Sequence, residues 1–310
     1  MSRRGALVGV VLICAAGGLL AWLPYRVSQF HLYQAAAVGI YFVALIGLDV
    51  VTGWTGQVSL GHSAFMMIGG YTTAILAGRH HWSTLATIPL AALVAGVAGL
   101  AFGLPALRLS GLYLALATFA LALAVPAVAK KFSHFTGGTS GILLPLRTDL
   151  WYFRLSWVCA GILFVLAWIA LAGPLGRTFR AVRDSEIAAA SSGVNLAVYK
   201  TLAFGISAAY AGVAGSLLAI WAGFANPGDY PFTLSLLLLV GLVVGGMGSL
   251  WGLVVGAIFI EVLKVEAQRI PVIGEQAPGL IQGVALILVM LLLPTGVGGL
   301  WRRIGALRAR

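Results

Sequence analysis

The residues with the most capacity for chemistry in this chain are five histidines, two cysteines and eight carboxylates. The histidines are His31, His62, His80, His81 and His134. None stands in an HExxH arrangement, which would put two imidazoles and a general base on one helix face. His80 and His81 adjoin each other without a cysteine or carboxylate beside them, so no metal set is expected. The stretch "GHSAF" is not the GxSxG that lifts a serine onto a strained turn for hydrolysis. None of Lys130, Lys131, Lys200 and Lys264 follows a glycine, so the GxxxxGK[ST] loop that cradles nucleotide phosphates is missing. Cys14 and Cys159 sit inside apolar runs and read as inert core thiols rather than a disulfide or metal pair. The expectation is a chain with no catalytic residue, no cofactor and no metal.

Two kinds of polar feature remain. One is "RAVRDSEIAAASSGVNLAVYK", Arg180 to Lys200, which concentrates charge between two long apolar runs. Ser185 is placed to cap a helix with Glu186 in its first turn, where a carboxylate suits the positive end of the dipole. "EIAAASS" favours helix, and Gly193 can end it in the left-handed conformation. The result is a helix of about two turns with an Ala and Ser surface that another backbone can approach closely. Arg177, Arg180 and Arg183 recur at a spacing of three and share one helix face, suited to anionic headgroups. The rival reading is a solvated loop that carries positive charge for topology.

The other feature is a pair of interruptions, "GWTGQVSLGH" (Gly53–His62) and "GGMGSLWG" (Gly245–Gly252). Each follows a Val-Val pair and precedes a short apolar segment. Irregular backbone survives in lipid only when it is buried in protein or faces a water-filled cavity, so paired breaks in opposite halves point to a transport pathway. Gly53, Gly56, Gln57, Ser59 and His62 are the candidates in the first, and Gly246, Gly248 and Ser249 in the second. The alternative is tight packing, because small residues let membrane helices approach closely; packing is the preferred reading for "GVAGSLLA". Asp49, close to the first break, reads as an interfacial cap or a partner for a nearby arginine. Glu261, Lys264 and Glu266 read as interfacial charges.

The elements that must position these residues are dictated by composition. Of 310 residues, 61% are hydrophobic and 9% charged, far below the roughly 25% charge of soluble domains. The chain is read as an all-α integral membrane protein, residues 1–310 forming a single transmembrane domain. Apolar runs long enough for a bilayer of about 30 Å suggest about ten spans, some short or broken: 6–23, 33–51, 63–78, 84–104, 111–128, 155–171, 202–222, 234–244, 250–263 and 279–293. The N-terminal run resembles a signal peptide but is read as a permanent first span. Net charge is +11, which is assigned to topology and not to nucleic acid. With Arg3, Arg4 and the C-terminal arginines in the cytoplasm, the basic residues divide 11 to 8 in favour of that side. Both termini and the segment 177–200 are then cytoplasmic.

The stretch from Arg180 through "TLAFGISAAYAGVAGSLLA" resembles the cytoplasmic coupling segment of branched-chain amino acid permeases of ATP-binding-cassette importers, the LivM-type family. "GWTGQVSLGHSAFMMIGGYTTAIL", "LPALRLSGLYLALATFALA", "TGGTSGI", "VVGGMGSLWGLVVGAIF" and "LILVMLLLPTGVGGLWRRI" follow in the family's order over about residues 40–303. The resemblance implies a permease subunit of the bacterial inner membrane that moves branched-chain or other hydrophobic amino acids. It also implies a cytoplasmic coupling helix, formed by Glu186, Ile187, Ala188, Ala189, Ala190 and Gly193, that docks into an ATPase subunit. The partners it implies are two ATPase subunits, a second similar permease (or a second copy) and a periplasmic substrate-binding protein. Urea, amides or aromatic acids are alternative substrates on the same scaffold. Two departures stand out: the fifth span lacks the acidic residue and arginine that many relatives carry, and Thr295 replaces a common arginine. A different class of reading, an ion-gradient-driven transporter, would need Asp49 as its essential carboxylate.

Overall fold

The computed structural model describes residues 28–269, apart from residues 108 and 110, together with 283–284. The expected first and tenth spans, Cys14, Arg108, Thr295 and the C-terminal arginines lie outside the described residues.

Helix α1 (Gln29–Asp49) runs through a π-type turn, Val50–Trp54, into the first break. Helix α2 (His62–Thr73) emerges from that break and ends in a second π-type turn, Ala74–Arg79. Helices α3 (Thr84–Ala106), α4 (Leu112–Lys131) and α5 (Asp149–Ala172) follow. Pro126 sits near the end of α4, which nonetheless continues to Lys131. The short helices α6 (Pro174–Asp184) and α7 (Glu186–Ser191) lead into α8 (Leu196–Ala222). A hairpin of α9 (Phe232–Gly245) and α10 (Gly252–Arg269) closes the described chain. Six stretches are long and apolar enough to cross a membrane, among the described residues: α1 with its π-type turn, α3, α4, α5, α8 and Pro227–Gly245. Helices α2 and α10 occupy the places of the expected third and ninth spans.

Burial sorts these helices into a core and a rim. The apolar windows of α1 and α8 are 89% buried, whereas those of α3, α4 and α5 are 28–33% buried. The rim helices turn leucines and valines such as Leu93, Val97, Leu116, Leu123, Ile162 and Ile169 outward, as a lipid-facing surface requires.

Glycine makes the core close-packed. A Cβ at Gly69 would lie 2.1 Å from the Gly212 carbonyl oxygen, and one at Gly215 would lie 1.8 Å from that of Met66. The backbones of α2 and α8 are therefore in contact, which favours helix association where lipid supplies no hydrophobic drive. Thr73 and Ser216 hydroxyls add a buried hydrogen bond at 2.6 Å across the same interface. The packing reading of "GVAGSLLA" (212–219) matches this geometry.

The molecule has two polar ends. At one, β1 (Ile142–Leu143) pairs antiparallel with β2 (Phe224–Ala225). Asn226 there caps the turn Pro227–Asp229 and donates to the Thr139 carbonyl at 2.6 Å. Arg79 donates to the His134 carbonyl at 2.7 Å. At the other end the two breaks and the segment 177–200 meet.

Candidate functional site

The first break is held by its own side chains. After Trp54 the chain leaves the helix, and Gln57 N–H returns to the Val51 carbonyl at 2.9 Å. Thr55 donates to the same carbonyl at 2.6 Å, and Thr52 donates to the Gln57 carbonyl at 3.2 Å. The Gln57 carboxamide donates to Thr55 Oγ1 at 3.1 Å. Leu60 N–H reaches Thr118 of α4 at 2.9 Å, and Ser63 N–H reaches Ser235 of α9 at 2.9 Å. Irregular backbone inside the bundle is thus satisfied by hydroxyls from neighbouring helices, as burial demands.

The second break is a tight turn. Gly246 and Gly248 have φ of +93° and +74°, values that residues with a Cβ rarely adopt. Ser249 N–H closes on the Gly246 carbonyl at 3.2 Å. A Cβ at Gly252 would fall 1.9 Å from the Gly245 carbonyl oxygen, so the two ends of the turn are pressed together.

Asp49 joins the two breaks. Fully buried in the last turn of α1, it accepts from the Gly248 N–H at 2.7 Å and from the Trp54 indole at 3.0 Å. A Cβ at Gly53 would stand 1.9 Å from Asp49 Oδ1 and 2.6 Å from the Gly248 nitrogen, so glycine at 53 is what lets the three groups converge. Asp49 is buried in the protein interior and bonded to a main-chain amide and an indole. It is also absent from the sequence-derived set of pathway residues. Its signal was available: a lone carboxylate in a 21-residue apolar helix beside one break needs donors, and the other break has spare amides.

The remaining candidates are placed differently. Gln57, Ser59 and His62 are all buried. The His62 Nε2 has no hydrogen-bond partner among the described residues. A cavity of about 420 Å³ at this end is lined by Trp54, Trp168, Leu171, Arg177, Arg180 and neighbours. Gln57, Ser59 and His62 are not among its walls; Gln57 and Ser59 hydrogen-bond within the break itself.

Helix α6 is amphipathic. Gly176, Phe179 and Val182 are buried, and Arg177, Arg180 and Arg183 share an adjoining, more exposed flank. The Arg180 guanidinium lies 5.4 Å from the Trp54 ring centroid, within cation–π range. Arg183 donates to the Gly53 carbonyl at 3.0 Å, and its stem packs on Gly56, whose φ is +73°. The segment 177–200 is therefore fastened to the first break, which links two features that the sequence could only treat separately.

Helix α7 begins with the Ser185 hydroxyl accepting from the Ala188 N–H at 3.2 Å, and Gly193 follows it with φ of +85°. Lys200 at the start of α8 pairs with Glu186 at 2.7 Å and braces the helix against the bundle. Ile187 is 83% exposed, and Glu186, Ala188, Ala190 and Gly193 share that exposure. Ala189 instead packs inward, 3% exposed, so it is not part of the outer surface. Lys200 is buried but Glu186 is half-exposed, and solvent screening on that side limits the pair to about 1 kcal/mol. Lys200→Met should lower the urea midpoint of the detergent-purified chain slightly and increase proteolytic cleavage near residue 190.

A family profile described as the branched-chain amino acid transport system permease component matches residues 30–293. The chain belongs to this permease family. It is 33% identical over 277 residues to the high-affinity branched-chain amino acid transport system permease protein LivM of Salmonella typhimurium, with 79% of this chain and 65% of that protein covered. LivM of Escherichia coli gives the same identity and coverage. BraD of Pseudomonas aeruginosa, a permease protein of the same kind of system, is 26% identical over 303 residues, covering 87% of this chain and 96% of BraD. The chain thus spans about 65% of the length of the LivM proteins it matches. No solved structure matches it significantly. The family match encloses both breaks, Asp49 and helix α7.

Proposed function

We propose that the chain is the membrane-spanning permease subunit of an ATP-driven importer that moves branched-chain or other hydrophobic amino acids across the bacterial inner membrane. The observation that carries this reading is the permease-family match over residues 30–293. The geometry of the α6–α7 segment adds a means of drive. An exposed short helix with an apolar tip at Ile187 is attached, through Arg183, to the break that Asp49 ties to the second break. A partner pushing on α7 would move both breaks together.

On this reading the end bearing α7 is cytoplasmic, both termini lie there, and Ile187 with Glu186, Ala188, Ala190 and Gly193 meets an ATPase subunit. ATP hydrolysis resides in two such subunits, the second half of the pathway in a similar permease or a second copy, and first capture of substrate in a periplasmic binding protein. Gly53, Gly56, Gln57, Ser59, His62, Gly246, Gly248 and Ser249 form the moving junction rather than direct contacts to substrate.

The test is uptake of labelled L-leucine into proteoliposomes that contain the assembled complex. Accumulation should require internal ATP and the binding protein, and should persist when ionophores collapse ion gradients. Accumulation by the chain without ATPase subunits, driven by an imposed gradient, would overturn the reading in favour of a secondary transporter.

A further inference from the structure

The end of the molecule away from α7 contains a second cavity, of about 250 Å³, roughly eight times the volume of one water in the liquid at about 30 Å³. That is room for a single small solute. Its apolar wall includes Leu218, Trp221, Leu234 and Leu237, and its polar wall includes Lys264 and Asp229.

The charged groups around this cavity are arranged in an unusual way. Lys264 is half-buried and bonded to the Tyr41 hydroxyl at 2.5 Å, with its ammonium 5.0 Å from that ring's centroid. Asp229 accepts from the Asn226 N–H at 2.9 Å through Oδ2, which fixes the carboxylate on the turn before α9. Glu261 stands one helical turn before Lys264 on α10; it is 8% exposed, and its Oε2 is buried with no hydrogen-bond partner among the described residues. Lys264 and Asp229 line the same cavity, and Glu261 lies one turn from Lys264 outside that lining, yet no contact ion pair joins them among the described residues. Opposite charges in a partly buried site attract one another more strongly than in water. Here they are held apart by separate anchors, Tyr41 for the lysine and Asn226 for the aspartate.

We propose that this cavity is a substrate subsite that holds a zwitterionic aliphatic amino acid, its α-carboxylate on Lys264, its α-ammonium on Asp229, and its side chain among Leu218, Leu234 and Leu237. The proposal rests on the importer reading above and adds to it a location and a recognition chemistry. A ligand carrying one charge of each sign satisfies Lys264 and Asp229 at once. A monovalent analogue leaves one buried charge without a partner, which is costly. The cavity therefore selects for the amino acid head and tolerates variation in a branched apolar tail.

The test uses the assembled complex in proteoliposomes, with Cys14 and Cys159 replaced by serine and Thr233→Cys introduced in the cavity wall. L-leucine should slow modification of that cysteine by a methanethiosulfonate reagent, while isoamylamine and 4-methylpentanoate, each lacking one charge, should not. Lys264→Met should abolish the protection and reduce leucine uptake at least about tenfold, with receptor-stimulated ATP hydrolysis retained; Lys264→Arg should keep part of both. If the wild-type complex accumulates leucine but leucine never protects the cysteine, or Lys264→Met transports normally, the subsite is wrong and the importer reading stands. If the complex hydrolyses ATP but accumulates no leucine, the importer reading fails for this substrate and the subsite falls with it.

Discussion

Asp49→Ala should lower the stability of the detergent-purified chain by about 3 kcal/mol and largely abolish uptake. Two donors converge on this carboxyl, the Gly248 amide and the Trp54 indole. Removing it leaves the amide of a tight turn and the ring nitrogen of Trp54 without their acceptor, at about 1–3 kcal/mol each. The loss also releases the second break from the first, since Asp49 bridges the end of α1 to the turn between α9 and α10. Asp49→Asn is the finer probe. Its carbonyl oxygen can still accept from Gly248, but its amide then faces the Trp54 N–H, a donor against a donor, so about half of the destabilisation should remain. Urea unfolding midpoints followed by tryptophan fluorescence will order the three proteins as wild type, Asn, Ala. Equal midpoints for wild type and Ala would show that the junction is not held by this residue. In vesicles, uptake by the Asn variant should be reduced but still indifferent to ionophores; complete, gradient-linked loss would instead assign Asp49 the ion-coupling role of a secondary transporter.

Ile187→Arg should leave the fold intact and reduce ATP-driven uptake about a hundredfold. Ile187 is 83% exposed at the tip of α7, so substitution there changes stability by no more than about 0.5 kcal/mol. A large exposed apolar side chain on a braced, rigid helix is the kind of group that anchors a docking surface, and replacing such an anchor commonly removes 2 kcal/mol or more of binding. The measurement is paired: co-purification of the ATPase subunits, and leucine accumulation in proteoliposomes. Retention of both would mean that α7 is not the docking helix. Ala189→Arg is a poorer probe although the sequence suggests it, because Ala189 is buried against the bundle and a guanidinium there would disturb the fold and the docking surface together.

Much of this architecture can be read from local sequence. Apolar run lengths locate the helices, Ser185 and Gly193 mark the ends of α7, and the spacing of Arg177, Arg180 and Arg183 puts the three on one face of α6. Each of these is a property of residues within a turn or two of one another. What could not be read was pairing across the chain. The bond between Asp49 and Gly248 spans 199 positions, and that between Arg183 and Gly53 spans 130; no periodicity encodes either. The same limit made Lys264 and Glu261 read as interfacial charges, because Tyr41 lies on α1 and Asp229 on the turn before α9. His62, Gln57 and Ser59 were legible as polar residues in a break, but only the packing shows that they are buried and do not line the nearby cavity.

The glycine contacts between α2 and α8 constrain how such a bundle can change shape. Met66 and Gly215 touch through main chain, with no side chain between them to switch rotamer and cushion a slide. The seam between these helices is keyed, and a displacement along it would drive one peptide group into the next. Any transport stroke must therefore carry α2 and α8 as one stiff lever. Its pivots lie where the chain is already irregular, at the two π-type turns and the glycine turn of Gly246 and Gly248.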